Sequence, residues 1–137
     1  MKKDIRISCS RKNLKVVRDF VNDYLTTYDL SELQLNQIVL AVDEVVANLI
    51  IHANAEDESR SLCLSIDFAN HVVDIAIEDS SPVAYRPSTF REPDLNEHVR
   101  LAKKGGVGMA LVNRIMDSVE FTTSGALNIC RLHKRVS

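Results

Sequence analysis

Residues 62–79 read LCLSIDFANHVVDIAIED, and their parity decides the fold. Leu62, Leu64, Ile66 and Phe68 fall on one side of an alternating run, and Val73, Ile75 and Ile77 on one side of a second. Asn70-His71 stands between them as a tight turn, because asparagine tolerates the left-handed conformation. Two strands in a hairpin, each with one apolar face, need a layer to cover that face. The flanking sequence supplies it.

Upstream, residues 3–9 alternate with Ile5, Ile7 and Cys9 on one side, a short first strand. Ser10 reads as an N-cap. Leu14, Val17, Val21, Tyr24 and Leu25 then predict an amphipathic helix over 11–27. Ser31 and Gln34 form a capping box for a second helix, which Leu35, Ile38, Val42, Val45 and Leu49 carry to about Ala53. AEDESRS, 55–61, is a charged loop. Downstream, 80–104 holds all three prolines and little periodicity. A loop of that length in a compact domain is usually functional or disordered, and a short helix fits within 93–102. From Gly105, Val107, Leu111, Ile115 and Met116 predict a third helix, to Asp117. Val119 and Phe121 begin a strand, Ser124-Gly125 turns it, and 126–134 returns. The fold class is α+β: one domain over 1–137, with three helices on one face of a mixed, mostly antiparallel sheet.

Composition narrows the function classes. The 137 residues are 45% hydrophobic and 26% charged, with a net charge of -2. Disordered, collagen-like and disulfide-scaffold proteins are excluded, and no general pull toward nucleic acid or an anionic membrane follows. No uninterrupted apolar run reaches 18 residues, so no membrane span is expected, and MKKDIRISCS has no apolar stretch of a signal peptide. The expected setting is cytoplasmic. Cys9, Cys63 and Cys130 are odd in number and widely spaced, which suggests neither a zinc site nor disulfides; they read as small packing residues.

Three places can carry chemistry. In DEVVAN, Glu44 and Asn48 are one helical turn apart on one face. That spacing suits either an exposed polar pair or a magnesium site, with an amide oxygen as hard ligand and a general base beside it. Asp79 shares the parity of Val73, Ile75 and Ile77, so its carboxylate leaves the strand end on the core side, to open a turn or meet a ligand. In KKGGVGMALV, three glycines in four residues precede a helix and two lysines precede them. Such a segment is either a hinge or a nest of N–H groups for phosphate.

The three boxes in this order resemble the GHKL ATPase superfamily. LAVDEVVANLIIHA, VDIAIEDSSP and GGVGMALVNRIMDSVEF, with a last strand ending HKR, are most similar to the bacterial anti-sigma factor serine/threonine kinases of partner-switching systems. The resemblance covers about 5–135 and implies a two-layer Bergerat sandwich. It implies that Glu44 is the catalytic base, that Asn48 ligates Mg2+, and that Asp79 accepts a hydrogen bond from the adenine amino group of ATP. It implies a nucleotide-binding glycine box at Gly105, Gly106, Val107, Gly108 and Met109, with Lys104 reaching the terminal phosphate and a nucleotide lid at about 80–104. The family's usual Asp-x-Gly is here Asp79-Ser80-Ser81, so Ser81 brings a side chain and a hydroxyl to the base pocket. The implied activity is transfer of the γ-phosphoryl of ATP to a serine on a small antagonist protein, by a homodimer that also binds a sigma factor or similar regulator, with no direct nucleic-acid or membrane contact. The alternative, motivated by Ser81, is a nucleotide-gated protein-binding module with little or no kinase activity.

Overall fold

The computed structural model describes residues 1–80 and 108–136. Strand β1 is Lys3–Ser8; a 3-10 turn, Arg11–Asn13, leads into helix α1, Leu14–Leu25. Helix α2 is Glu32–Asn48 and runs on into a π-helical turn, Leu49–Ala53. Strands β2, Ser61–Ala69, and β3, Val72–Asp79, form the hairpin. Helix α3 is Gly108–Ile115, followed by β4, Ser118–Ser124, and β5, Leu127–Arg135. The sheet order is β1-β2-β3-β5-β4. Every pairing among these strands is antiparallel, so the expected sandwich stands while the expected mixed sheet is here purely antiparallel.

Alternation builds the two layers. Ile7, Leu62, Leu64, Ile66, Val73, Ile75, Ile77, Cys130 and Leu132 are buried on the inner face, against Val17, Val21 and Leu25 of α1, Ile38, Val42 and Val45 of α2, and Val112 of α3. A fully buried Ile or Leu contributes roughly 1.5–3 kcal/mol, so this layer outweighs the local propensities. The opposite positions, among them Asp67, Asp74, Arg131 and His133, give the sheet a polar outer face, where His133 Nδ1 pairs with Asp74. The register continues to the strand end, where Asp79 stands between Leu62 on one side and Asn128 on the other.

The helix ends follow the sequence in part. Ser31 Oγ accepts from the Gln34 N–H at 3.1 Å, and the Ser31 N–H donates to Gln34 Oε1 at 3.4 Å, the expected capping box. Ser10 precedes the 3-10 turn in extended conformation but its side chain makes no capping bond. Asn13 Nδ2 instead donates to the Ser8 carbonyl at 3.0 Å, fastening β1 to α1. Arg18 Nη1 donates to Asp43 Oδ1 at 2.8 Å and ties α1 to α2. At the far end, Lys134 Nζ donates to the Ile115 carbonyl at 2.9 Å, so the HKR strand caps the negative end of α3.

One stretch is more apolar than an uninterrupted-run reading suggests, and one turn needs correction. The stretch Glu32–Ala53 has a mean hydropathy of 1.4 over an 18-residue window, enough by length and composition for a membrane span. The fold accounts for that hydropathy: the same stretch supplies Ile38, Ala41, Val42, Val45, Val46, Leu49 and Ile50 to the core, and its Asp43 is ion-paired with Arg18 of α1. The β4–β5 turn is Gly125-Ala126, one residue later than expected, with Ser124 facing Leu127. Gly125 takes φ 61°, as a primed two-residue turn demands.

The β2–β3 turn carries avoidable strain. Asn70 and His71 both have left-handed φ, 53° and 63°, where a primed turn prefers glycine second. His71→Gly relieves the Cβ cost and is expected to raise the unfolding free energy by about 0.5–1 kcal/mol. Chemical denaturation of both proteins checks it. The Val136 N–H to His71 carbonyl bond, 2.7 Å, is a backbone bond that glycine retains.

Candidate functional site

The site begins at the end of β3. Parity carries Asp79 to the inner face, where it is only 4% exposed. A carboxylate buried at that depth needs hydrogen-bond donors. Asn54 supplies one: its Nδ2 donates to Asp79 Oδ2 at 2.9 Å. Cys9 lies near enough that burial and then the Asp79 charge push its thiol pKa up, so it stays a neutral neighbour. Cys130 is pushed up to about 12 by burial alone. Both behave as the packing residues expected from sequence.

Nothing in the periodicity of the sequence marks Asn54, and the π turn explains why. Over Leu49–Ala53 the ladder shifts from i→i+4 to i→i+5, which inserts one residue. The Asn54 N–H then meets the Leu49 carbonyl at 3.0 Å, and Asn54 Nδ2 meets the same oxygen at 2.9 Å. The chain leaves through Ala55 and Glu56, both at left-handed φ, 51° and 56°. Backbone strain of this kind is concentrated at functional sites. Asn54 is 3% exposed, and its Oδ1 is buried with no partner among the described residues. An unpaired buried acceptor costs about 1–3 kcal/mol. The apolar run LII hides the phase change from a periodicity reading. An Asn at the end of a helix whose next residues are AED was the one available signal.

The second half of the site lies where α2 meets α3. Glu44 stands one turn before Asn48, which is 9% exposed. The Glu44 carboxylate packs against Gly108, the first residue of α3. A Cβ placed on Gly108 would stand 1.9 Å from Glu44 Oε2 and 2.5 Å from Glu44 Cδ. Only glycine admits the carboxylate there. Burial, and secondarily the charge of Asp43, raise the Glu44 pKa above the ordinary carboxylate value. A raised pKa suits a residue that must accept a proton.

The structure thus brings Glu44 to Gly108 and Asp79 to Asn54, with Glu44, Asn48 and Asn54 all carried by α2 and its π turn. Met109 is 4% exposed and its side chain belongs to the core, so only its backbone could meet a nucleotide. Ser81, Lys104, Gly105, Gly106 and Val107, and nearly all of the expected lid at 80–104, lie outside the described residues. No cluster of three acidic, His or Cys side chains suited to a metal occurs among the described residues. The donor set fits a different arrangement: one amide oxygen at Asn48 is a hard ligand of the kind Mg2+ takes alongside phosphates and waters.

An antiparallel sheet with helices on one side, an acid and an amide one turn apart on the middle helix, and a glycine-led helix against the acid define a Bergerat-type sandwich of the GHKL class. More particularly, the histidine kinase-like ATPase domain family matches residues 7–134, and the chain belongs to that family. It is 28% identical over 109 residues to the anti-sigma F factor of Clostridium perfringens, spanning 80% of this chain and 77% of that one. It is 31% identical over 98 residues to the serine-protein kinase RsbW of Halalkalibacterium halodurans, spanning 69% of this chain and 56% of that one. The fold resembles the RsbU and RsbW domains of Rv1364c from Mycobacterium tuberculosis, with TM-score 0.68 and 15% identity over 99% of this chain and 32% of that one. It also resembles the SiaB-SiaC complex from Pseudomonas aeruginosa, with TM-score 0.62 and 10% identity over 98% of this chain and 89% of the matched one. At these identities the structural likeness is one of fold.

Proposed function

We propose that the chain is a partner-switching regulator that binds ATP, phosphorylates a serine on a small antagonist protein, and holds a sigma factor or similar regulator in turn. The observation that carries this reading is the Glu44–Gly108 contact, which sets a carboxylate of raised pKa against the first residue of the glycine-led helix. The similarity to an anti-sigma F factor and to a serine-protein kinase supports the same reading. A cytoplasmic homodimer is part of the proposal.

The chemistry follows from residue placement. Asp79 accepts a hydrogen bond from the exocyclic amino group of adenine, which guanine replaces with a carbonyl. The backbone N–H groups entering α3 hold phosphate oxygens, aided by the positive end of that helix. Mg2+, held through the Asn48 amide oxygen, would neutralise phosphate charge. Glu44 takes the proton of the serine hydroxyl as its oxygen bonds to the γ-phosphorus. The bond from that phosphorus to the β,γ-bridging oxygen breaks, and ADP leaves with the electron pair. Asn48→Ala is expected to weaken magnesium-dependent ATP binding, whereas a change at Glu44 leaves binding intact.

The test is purification of the tagged protein from its own cells, followed by incubation of any small copurifying protein with γ-labelled ATP and Mg2+. Label on a serine of that protein is expected. The substitution of Ser81 for the family's glycine favours a second reading, a nucleotide-gated binding module with little or no kinase activity. Nucleotide-dependent release of the partner without label would support that one. Neither label nor release would contradict both.

A further inference from the structure

We propose that Asn54 is a positioning residue for nucleotide selectivity: it fixes the Asp79 carboxylate so that one oxygen is spent on the protein and the other is left to read the base. The inference rests on the adenine role proposed above for Asp79. Asn54 Nδ2 carries two hydrogens. One bonds the Leu49 carbonyl at 2.9 Å and the other bonds Asp79 Oδ2 at 2.9 Å. Both partners are acceptors only, so the amide has one orientation: nitrogen toward Asp79 and oxygen away. Burial at 3% exposure and these two bonds hold the side chain, while the Asn54 backbone N–H, bound to the same Leu49 carbonyl at 3.0 Å, holds its Cα. The anchor is the π turn itself, whose extra residue brings position 54 to the strand end.

The orphaned oxygen strengthens the case. Asn54 Oδ1 is buried without a partner among the described residues, while both donors are committed. Among the described residues the amide is held through its two donors and not through its oxygen. The donation to Asp79 is what the arrangement secures. It also joins the two halves of the site. α2 carries Glu44 to the glycine-led helix, and its π turn carries Asn54 to β3. A carboxylate oxygen accepts hydrogen bonds, and an acceptor at this position favours an amino group over a carbonyl.

The test is a set of calorimetric titrations of the full chain with Mg-ATP and Mg-GTP. Wild type is expected to prefer ATP. Asn54→Ala should lower ATP affinity roughly ten-fold, the scale of one lost charge-assisted hydrogen bond, and should change GTP affinity little, so the ratio narrows. Asn54→Ser, which keeps a single donor and a small volume, should lie between and serves where the alanine variant folds poorly. In an Asp79→Ala background, Asn54→Ala should leave the ratio where Asp79→Ala alone puts it. The proposal is overturned if Asn54→Ala and Asn54→Ser weaken both nucleotides alike, as a merely structural residue would, or if the ratio keeps its wild-type value. Failure of the underlying reading is visible separately: wild type would then show no ATP preference, and the proposal would fall with it.

Discussion

Glu44→Gln is expected to retain Mg-ATP binding while lowering phosphoryl transfer by roughly 10²–10⁴-fold, the range that a positioned general base contributes. The amide keeps the volume beside Gly108 but has no proton-accepting charge. The same substitution should act on stability in the opposite direction. The folded state raises the Glu44 pKa, by burial first and by Asp43 second. Below its ordinary pKa the group is neutral in both states and costs nothing. As pH rises through the folded-state value, the unfolded chain ionises more readily, and the fold loses stability. Glu44→Gln should therefore melt higher than wild type at neutral pH, with the difference vanishing in acid. The wild-type transfer rate should rise with pH through the elevated Glu44 pKa, and that limb should be missing from the residual activity of the variant. Paired thermal melts at several pH values and a pH–rate profile check both halves. A variant as active as wild type would remove Glu44 from the chemistry.

Gly108→Ala is the second large effect. The added Cβ cannot coexist with Glu44 Oε2 at 1.9 Å, and what it meets is the far end of a flexible side chain. The backbone need not move; the carboxylate must. Transfer should fall nearly as far as in Glu44→Gln, since a misplaced base is little better than none, while the circular dichroism of the fold is kept. The stability change of Gly108→Ala should shrink in a Glu44→Ala background, where nothing remains for the methyl to strike. Additive effects of the two substitutions would show that the contact does not govern the position of the base.

Legibility in the sequence tracked how local the cause was. The hairpin at 62–79, the capping box at Ser31 and the burial of Asp79 follow from period-two parity or a four-residue motif, and all three stand in the structure. Glu44 and Asn48 were legible as neighbours because helical spacing alone sets i and i+4 on one face. What packs against Glu44 was not legible, since Gly108 comes from a segment 64 positions away and only the packing of α3 on α2 unites them. Asn54 failed for another reason: a π turn changes the helical phase within an apolar run, and no residue type announces it. Ser10 had the right residue type for a cap, but the chain enters α1 through a 3-10 turn and neither Ser10 nor Asn13 makes a side-chain capping bond.

The proposed binding of an adenine nucleotide with Mg2+ uses Asp79 on the base side and Asn48 on the phosphate side. Titration calorimetry of wild type and Asp79→Asn with ATP and GTP, each with Mg2+ and with a chelator, tests it most directly. The expected result is ATP binding that weakens in chelator, with GTP bound less tightly. The gap should narrow in Asp79→Asn, because an amide presents either a donor or an acceptor. No heat at millimolar Mg-ATP, or equal affinities for ATP and GTP that the substitution leaves unchanged, would contradict the account.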